Sequence, residues 1–373
     1  MKHICYLTGM FSRYDSIIYE RQGRSMAQAG YRVTYIVCDS MQNENSEGIE
    51  IISCGFIPKN RFDRIRKSSK YLYENAMAVN ADIYQISEPE LINIGLKLKK
   101  RNKKIIYNMR EYSSADLKYK SYLSKYFRIP ASFALEQYMK ISLNKYDLIF
   151  VVTPEIVDVV KQKWKISQTY LLINCPRVNA DFHLSYDEYV KRGNVLCYFG
   201  TIYSTSRQEN ILIALEKINN VKYLVAGIFG VDADYIVSLP NWSKVQFING
   251  FKRNQLSEIL AQCSMSNVLR DDSKSGTPNG SLGVLKFFES MEAGLPIICS
   301  DVPVNRSIID QYLCGICTNV NDPEAIQETI SYLINNKKQA YEMGQNGRKA
   351  IIEKYNWDNQ FSIYFDNINN LWN

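Results

Sequence analysis

At 373 residues the chain is too long for one ordinary hydrophobic core, so two domains are expected. A hydrophobic content of 46% with 22% charged residues excludes disordered and fibrous classes and fits a globular enzyme. The net charge of +7 gathers in "RFDRIRKSSK" (61–70) and "LKLKKRNKK" (96–104). No nucleic-acid motif or aromatic stacking platform accompanies these clusters, which leaves solvated helix faces or an anionic membrane surface.

The N-terminus "MKHICYLTGM" has only a short apolar run, unlike a signal peptide, and no segment approaches the length of a membrane span. Short apolar runs then alternate with helical stretches. Strands are predicted at 3–8, 31–38, 49–53, 81–87, 103–109, 147–153 and 169–174. Several are apolar throughout, as strands covered on both faces are. "SIIYERQGRSMAQAG" puts Ile18, Arg21, Ser25 and Ala29 on one helical stripe and ends at Gly30, a natural helix terminator.

After the polar stretch 176–194 the theme repeats. Strands are predicted at 194–200, 221–227, 244–250, 265–269, 295–300 and 314–320, with helices near 208–219, 253–262, 282–293, 322–336 and 338–354. This alternation predicts α/β architecture: two Rossmann-like, doubly wound parallel-sheet domains facing across a cleft. Residues 1–180 form the first domain and 190–354 the second. The amphipathic segment 355–373 is expected to pack back on the first domain as a helix. The nine cysteines are scattered singly, apart from Cys314 and Cys317 at CxxC spacing. Without a second pair or nearby histidines they read as buried free thiols in a reduced, cytoplasmic protein.

The most informative segment is "GTPNGSLGVLKFFESMEAGLPII" (276–298). A loop poor in side chains leads into a helix predicted to begin near Ser281 or Leu282. Its first backbone N–H groups lack helical partners and attract an anion. Glu289 follows two turns later, where its carboxylate would accept hydrogen bonds from ribose hydroxyls. Gly294 and Pro296 then end the helix. "RDDSK" (270–274), the one paired-aspartate stretch, reads as a polar loop, and no histidine or aspartate cluster offers a metal site.

"KFFESMEAGLPIICSD" and "ADIYQISEPELINIGLKLKKRNKKIIYNMREY" (81–112), with "PRVN" after "LLIN" and "YNW" near the C-terminus, resemble signatures of the retaining glycosyltransferases of the B fold, family 4, also called group 1. The resemblance spans essentially the whole chain. It implies that Glu289 binds the ribose of a nucleotide-sugar donor, UDP- or GDP-linked. The amides of Ser281, Leu282 and Gly283 would face the diphosphate, and Gly200 and Thr201 would line its pocket. Arg207 would pair with the diphosphate, while Lys252 and Arg253 would lie near the base. Gly9, in the loop "TGMF", would approach the donor from the first domain.

Three departures accompany the resemblance. Ser281 stands in place of the family's first glutamate. Gln85, Ile86, Ser87 and Glu88 replace a histidine-rich motif, and Arg110 replaces a third histidine. The only histidines, His3 and His183, fall outside the motifs. Glu88 and Arg110 are therefore candidates for re-sited catalytic groups, with Arg207 supporting the leaving group.

The expected function is transfer of a sugar, with retention, to a glycan or a polyprenyl-diphosphate-linked sugar in bacterial surface polysaccharide synthesis. Neither a cofactor nor a metal is required on this reading, and nucleic acid is not a partner. The protein is expected in the cytoplasm, peripheral to the plasma membrane. An inactive homologue serving as a partner subunit, or a nucleotide-sugar epimerase, stands as the alternative.

Overall fold

A computed structural model describes residues 1–120, 123–230 and 233–372; the side chains of Arg61 and Lys274 lie outside the described set, and so do those members of the 61–70 and 270–274 stretches. The chain divides into two compact units. The first is Met1–Asn174 with Trp357–Asn373, and the second is Cys175–Asn356.

The first unit contains β1 (His3–Leu7), β2 (Arg32–Val37), β3 (Glu44–Ser46), β4 (Ile49–Ser53), β5 (Ile83–Ile86), β6 (Lys104–Met109), β7 (Leu148–Val151) and β8 (Thr169–Leu171). They form one sheet in the order β3-β4-β2-β1-β5-β6-β7-β8. All neighbours are parallel except β3 and β4. Successive residues of a strand face opposite sides of the sheet, and both sides are covered. Cys5, Leu7, Tyr84, Ile86, Ile105 and Tyr107 pack with Leu72, Ala76, Ile92, Leu98, Met139 and Leu143 from the crossover helices. On the reverse side Ile4, Tyr6, Val33, Tyr35, Ile106 and Phe150 pack with Ile18, Met26, Tyr364 and Ile368.

That reverse layer includes the C-terminal helix Trp357–Asn369. Trp357 Nε1 donates to Ser25 Oγ at 2.8 Å, and the Ile173 amide donates to Gln360 Oε1 at 2.8 Å. The Tyr364 hydroxyl lies 3.1 Å from that of Tyr6 and donates to Gln85 Oε1 at 2.6 Å. Gln85 Nε2 in turn donates to Gln22 Oε1 at 2.7 Å. Gln85, at a position where the family pattern has a motif residue, is therefore part of a buried polar chain.

The second unit contains β9 (Val195–Phe199), β10 (Lys222–Gly227), β11 (Val245–Asn249), β12 (Met265–Val268), β13 (Ile297–Ser300) and β14 (Gly315–Thr318). Their order is β11-β10-β9-β12-β13-β14, all parallel. Leu196, Tyr198, Tyr223 and Val225 pack with Ile211, Leu215, Ile326 and Ile330 on one side. Cys197, Phe199, Leu224 and Ala226 pack with Leu256, Ile259 and Leu295 on the other. Both units are Rossmann-like. The strand order reverses between β1 and β5 in the first and between β9 and β12 in the second. Open sheets of this kind bind ligands beyond the carboxyl ends of the strands at such reversals.

None of the nine cysteines is in a disulfide. The structure corrects two local expectations. The helix expected from Ser281 or Leu282 begins only at Leu285 and runs to Glu292. A short strand, β3, was not anticipated. Its residues are polar, so it carries no apolar alternation, and the left-handed pair Glu47 (φ 54°) and Gly48 (φ 79°) folds it back on β4.

Candidate functional site

In the second unit β9 is followed by Gly200, whose φ of +105° excludes most side chains. The neighbouring strand approaches closely: a Cβ on Gly227 would lie 1.9 Å from the Gly200 carbonyl oxygen. The Gly200 amide donates to Ala226 O at 2.8 Å, and the Tyr198 hydroxyl donates to Thr201 O at 2.7 Å. Gly200 and Thr201 are thus held on a tyrosine post at the strand-order reversal.

Against this loop stands Lys286, a residue the sequence reading missed. Its Nζ lies 3.6 Å from the centre of the Tyr198 ring, and a Cβ on Gly200 would be 4.0 Å from it. Burial, with a smaller push from Arg270, lowers its pKa to about 7. The ring face offers partial compensation for the charge. A signal was present in the sequence: a lysine in the run "LKFF", one helical turn before Glu289.

Glu289 is 5% exposed and is ion-paired with Arg253 Nη2. It sits little more than one turn into the helix instead of two, because the helix starts late. The Gly283 amide donates to Ser281 Oγ at 3.0 Å, so this stretch closes a small turn before the helix. Ser281, Leu282 and Gly283 consequently belong to the loop and not to the helical end. Lys252 precedes the turn that carries Arg253, and its amide donates to Gln255 Oε1 at 2.8 Å.

Arg207 adopts a left-handed backbone (φ 46°) ahead of the helix Gln208–Glu216. Its guanidinium grips Asp271 Oδ2 at 2.5 and 3.1 Å. Burial alone would raise the Asp271 pKa, but hydrogen bonds from Ser273 and Arg207 outweigh it and hold the carboxyl below its ordinary value. Asp272 is ion-paired with Arg270 at 2.8 Å. The stretch 270–274, expected as a polar loop, is one with a short 3₁₀ turn at Asp272–Lys274. Asp271 and Asp272 are buried anchors for two arginines beside the reversal, and such buried carboxylates persist only when paired.

In the first unit Glu88 follows β5 and is 2% exposed. Its Oε1 accepts from the Thr8 hydroxyl, from the Gly9 amide at 3.0 Å and from the Met10 amide at 3.1 Å. The carboxylate therefore staples the loop after β1 to the end of β5. Burial raises its pKa, against hydrogen bonds from Thr8 and Gly9 that lower it. Arg110, after β6, pairs with Asp15 at 3.2 and 3.4 Å and lies 3.8 Å over the Phe11 ring. Gly9, Glu88 and Arg110 are thus brought together by one loop, 8–15.

Among the described residues no group of three or more histidines, cysteines or acids is arranged to hold a metal ion. Among the described residues no helix is long and apolar enough to cross a membrane.

The family model "Glycosyl transferases group 1" matches residues 187–350. No curated protein matches the chain in sequence. Among solved structures, sucrose-phosphate synthase (tll1590) from Thermosynechococcus elongatus is similar with a TM-score of 0.78 at 17% identity, over 100% of this chain and 99% of that one. Anabaena Alr3699/HepE, solved with UDP and glucose, gives a TM-score of 0.73 at 10% identity, over 99% of this chain and 100% of that one. WaaG, a glycosyltransferase involved in lipopolysaccharide biosynthesis, gives 0.70 at 15% identity, over 97% and 98%. Residues 187–350 thus match the group 1 glycosyl transferases, within a chain that has the two-domain GT-B fold.

Proposed function

We propose that the protein is a retaining glycosyltransferase that moves a sugar from a UDP- or GDP-sugar to a glycan or a polyprenyl-diphosphate-linked sugar. Its place is the cytoplasmic face of the plasma membrane, in bacterial surface polysaccharide synthesis. The observation that carries this reading is Lys286. A lysine whose charge is disfavoured by burial and by Arg270, beside a glycine loop at the reversal point of a Rossmann-like sheet, suits an arriving diphosphate. UDP is the first nucleotide to test, because the structurally similar HepE was solved with UDP.

In the proposed reaction the bond between the anomeric carbon and the phosphate oxygen breaks. The acceptor's hydroxyl oxygen bonds to the carbon from the same side, and its proton passes to the departing phosphate oxygen. No enzymic nucleophile or histidine takes part. Positive charge fixed at the leaving phosphates lowers the barrier. Lys286 supplies it directly, and Arg207 adds to it on exchanging Asp271 for phosphate. Glu289, oriented by Arg253, takes the ribose hydroxyls. Gly9 and Arg110 serve the sugar or acceptor from the loop that Glu88 fixes.

Calorimetric titration of UDP and GDP into the wild type, Glu289→Ala and Lys286→Met tests the donor site. One nucleotide binding the wild type, and at least about tenfold more weakly to each variant, is the expected result. Absence of binding by either nucleotide to the wild type would overturn it. A second reading is a non-catalytic partner subunit, favoured by the close grip of Asp271 on Arg207. Nucleotide binding without turnover on any lipid-linked or glycan acceptor would establish that reading.

A further inference from the structure

The helix Lys125–Leu143 in the first unit has two unlike sides. Ser132, Met139, Ser142 and Leu143 are buried beneath it. Its outer side carries Tyr126, Ile129 and Phe133, which are 89, 70 and 64% exposed, and Ile141 at 63%. These positions recur at the helical period and form one stripe. Apolar residues scattered singly on a surface are ordinary, but a contiguous exposed patch marks a contact site.

The charges of this segment point the same way. Residues 117–145 hold the cations Lys118, Lys120, Lys125, Arg128, Lys140 and Lys145, against the single acid Glu136. Glu136 accepts from the Tyr112 hydroxyl at 3.1 Å and from Trp164 Nε1 at 3.4 Å, so it is turned toward the domain. The outward surface is therefore apolar and positive.

A second cationic, apolar segment belongs to the same layer. Ile57, Phe62 and Ile65 are exposed among Lys59, Arg66 and Lys67. They precede the helix Ser69–Val79, whose Leu72 and Ala76 pack on the sheet face that receives Met139 and Leu143.

We propose that the outer face of Lys125–Leu143 docks on an anionic lipid bilayer. Rings and aliphatic groups at this spacing enter the boundary between headgroups and acyl chains, while flanking lysines meet lipid phosphates. A second copy of the chain would set one cationic face against another. A nucleic acid would find phosphate partners but no use for Ile129 and Ile141. The inference deepens the proposed function by naming the surface from which a lipid-linked acceptor is reached, and only that consequence rests on the glycosyltransferase reading.

The test is co-sedimentation of the whole protein with vesicles of phosphatidylcholine, alone or with about one third phosphatidylglycerol. Expected is pelleting with the anionic vesicles alone, reversed by salt and weakened at least about tenfold by the combined Tyr126→Ser, Ile129→Ser and Phe133→Ser variant. Circular dichroism and nucleotide titration of the same variant should match the wild type, which separates loss of docking from loss of fold. Failure of the wild type to pellet with anionic vesicles would overturn the proposal, whether or not nucleotide binds. Equal pelleting of the variant, or a concentration-dependent dimer that the variant disperses, would overturn it too. Failure of nucleotide binding in the wild type would count against the donor site and leave the vesicle result standing.

Discussion

Lys286 is pulled two ways, since burial and Arg270 disfavour its charge while the Tyr198 ring favours it. Among the described residues no carboxylate pairs with it. A bound diphosphate would raise its pKa from about 7, so binding takes up a proton. Affinity should then be full below pH 7 and fall as pH rises from 7 toward the higher value of the complex. Titrations between pH 6 and about 9 check this, and Lys286→Met should both weaken binding and flatten the profile.

Glu88 makes the contrasting case. Its buried Oε1 serves three donors, so Glu88→Ala should lower unfolding free energy by about 2–4 kcal/mol in urea melts. Glu88→Gln retains an acceptor oxygen and should cost less than half of that. A Gln variant with full stability and no turnover would instead mark Glu88 as a proton carrier.

Which residues carry charge in this region was legible; which ones hold each other was not. Asp271 finds Arg207 from 64 positions away and Glu289 finds Arg253 from 36. Hydrophobic periodicity says nothing about such pairings. Lys286 was overlooked because a lysine on an apolar helix is commonly a solvated end. Only the placement of Tyr198 and Gly200 beneath it gives it another meaning.

At the scale of elements, the buried strands were readable because runs such as "ICYL" and "YLVAG" are apolar on both faces. Element ends were less readable. The sequence around Ser281 is compatible with a helix, but a hydroxyl captures the Gly283 amide and delays the first turn to Leu285. The junction of β9 and β10 is the least forgiving of these ends. A methyl on Gly227 cannot coexist with the Gly200 carbonyl, so Gly227→Ala should destabilise the second unit by about 3 kcal/mol or more. Because the displaced strand end carries Gly200 and Thr201, nucleotide affinity should fall in the same variant. A denaturant melt and a titration on one sample measure both.

At the scale of the whole molecule, the first unit is discontinuous in sequence, with Trp357, Tyr364 and Ile368 closing its reverse layer. Cutting the chain after Asn356 exposes that layer and removes the hydroxyl that joins Tyr6 to Gln85. The expected outcome is loss of the first unit's melting transition with the second retained, read by calorimetry. Two unchanged transitions would show that the helix is dispensable.

The re-entrant helix also sets an order of events on the ribosome. Residues 1–174 are made before the second unit, yet the first unit is not complete until the helix Trp357–Asn369 has emerged. Between them comes the entire second unit, about 180 residues, or roughly 10–40 s of synthesis at ordinary rates. For that interval Ile4, Tyr6, Val33 and Phe150 wait without their final cover. The nascent chain thus exposes an apolar sheet face while its later half is already folding. The reverse layer of the first unit therefore gains its last cover, Tyr364 and Ile368, only after the second unit has been made.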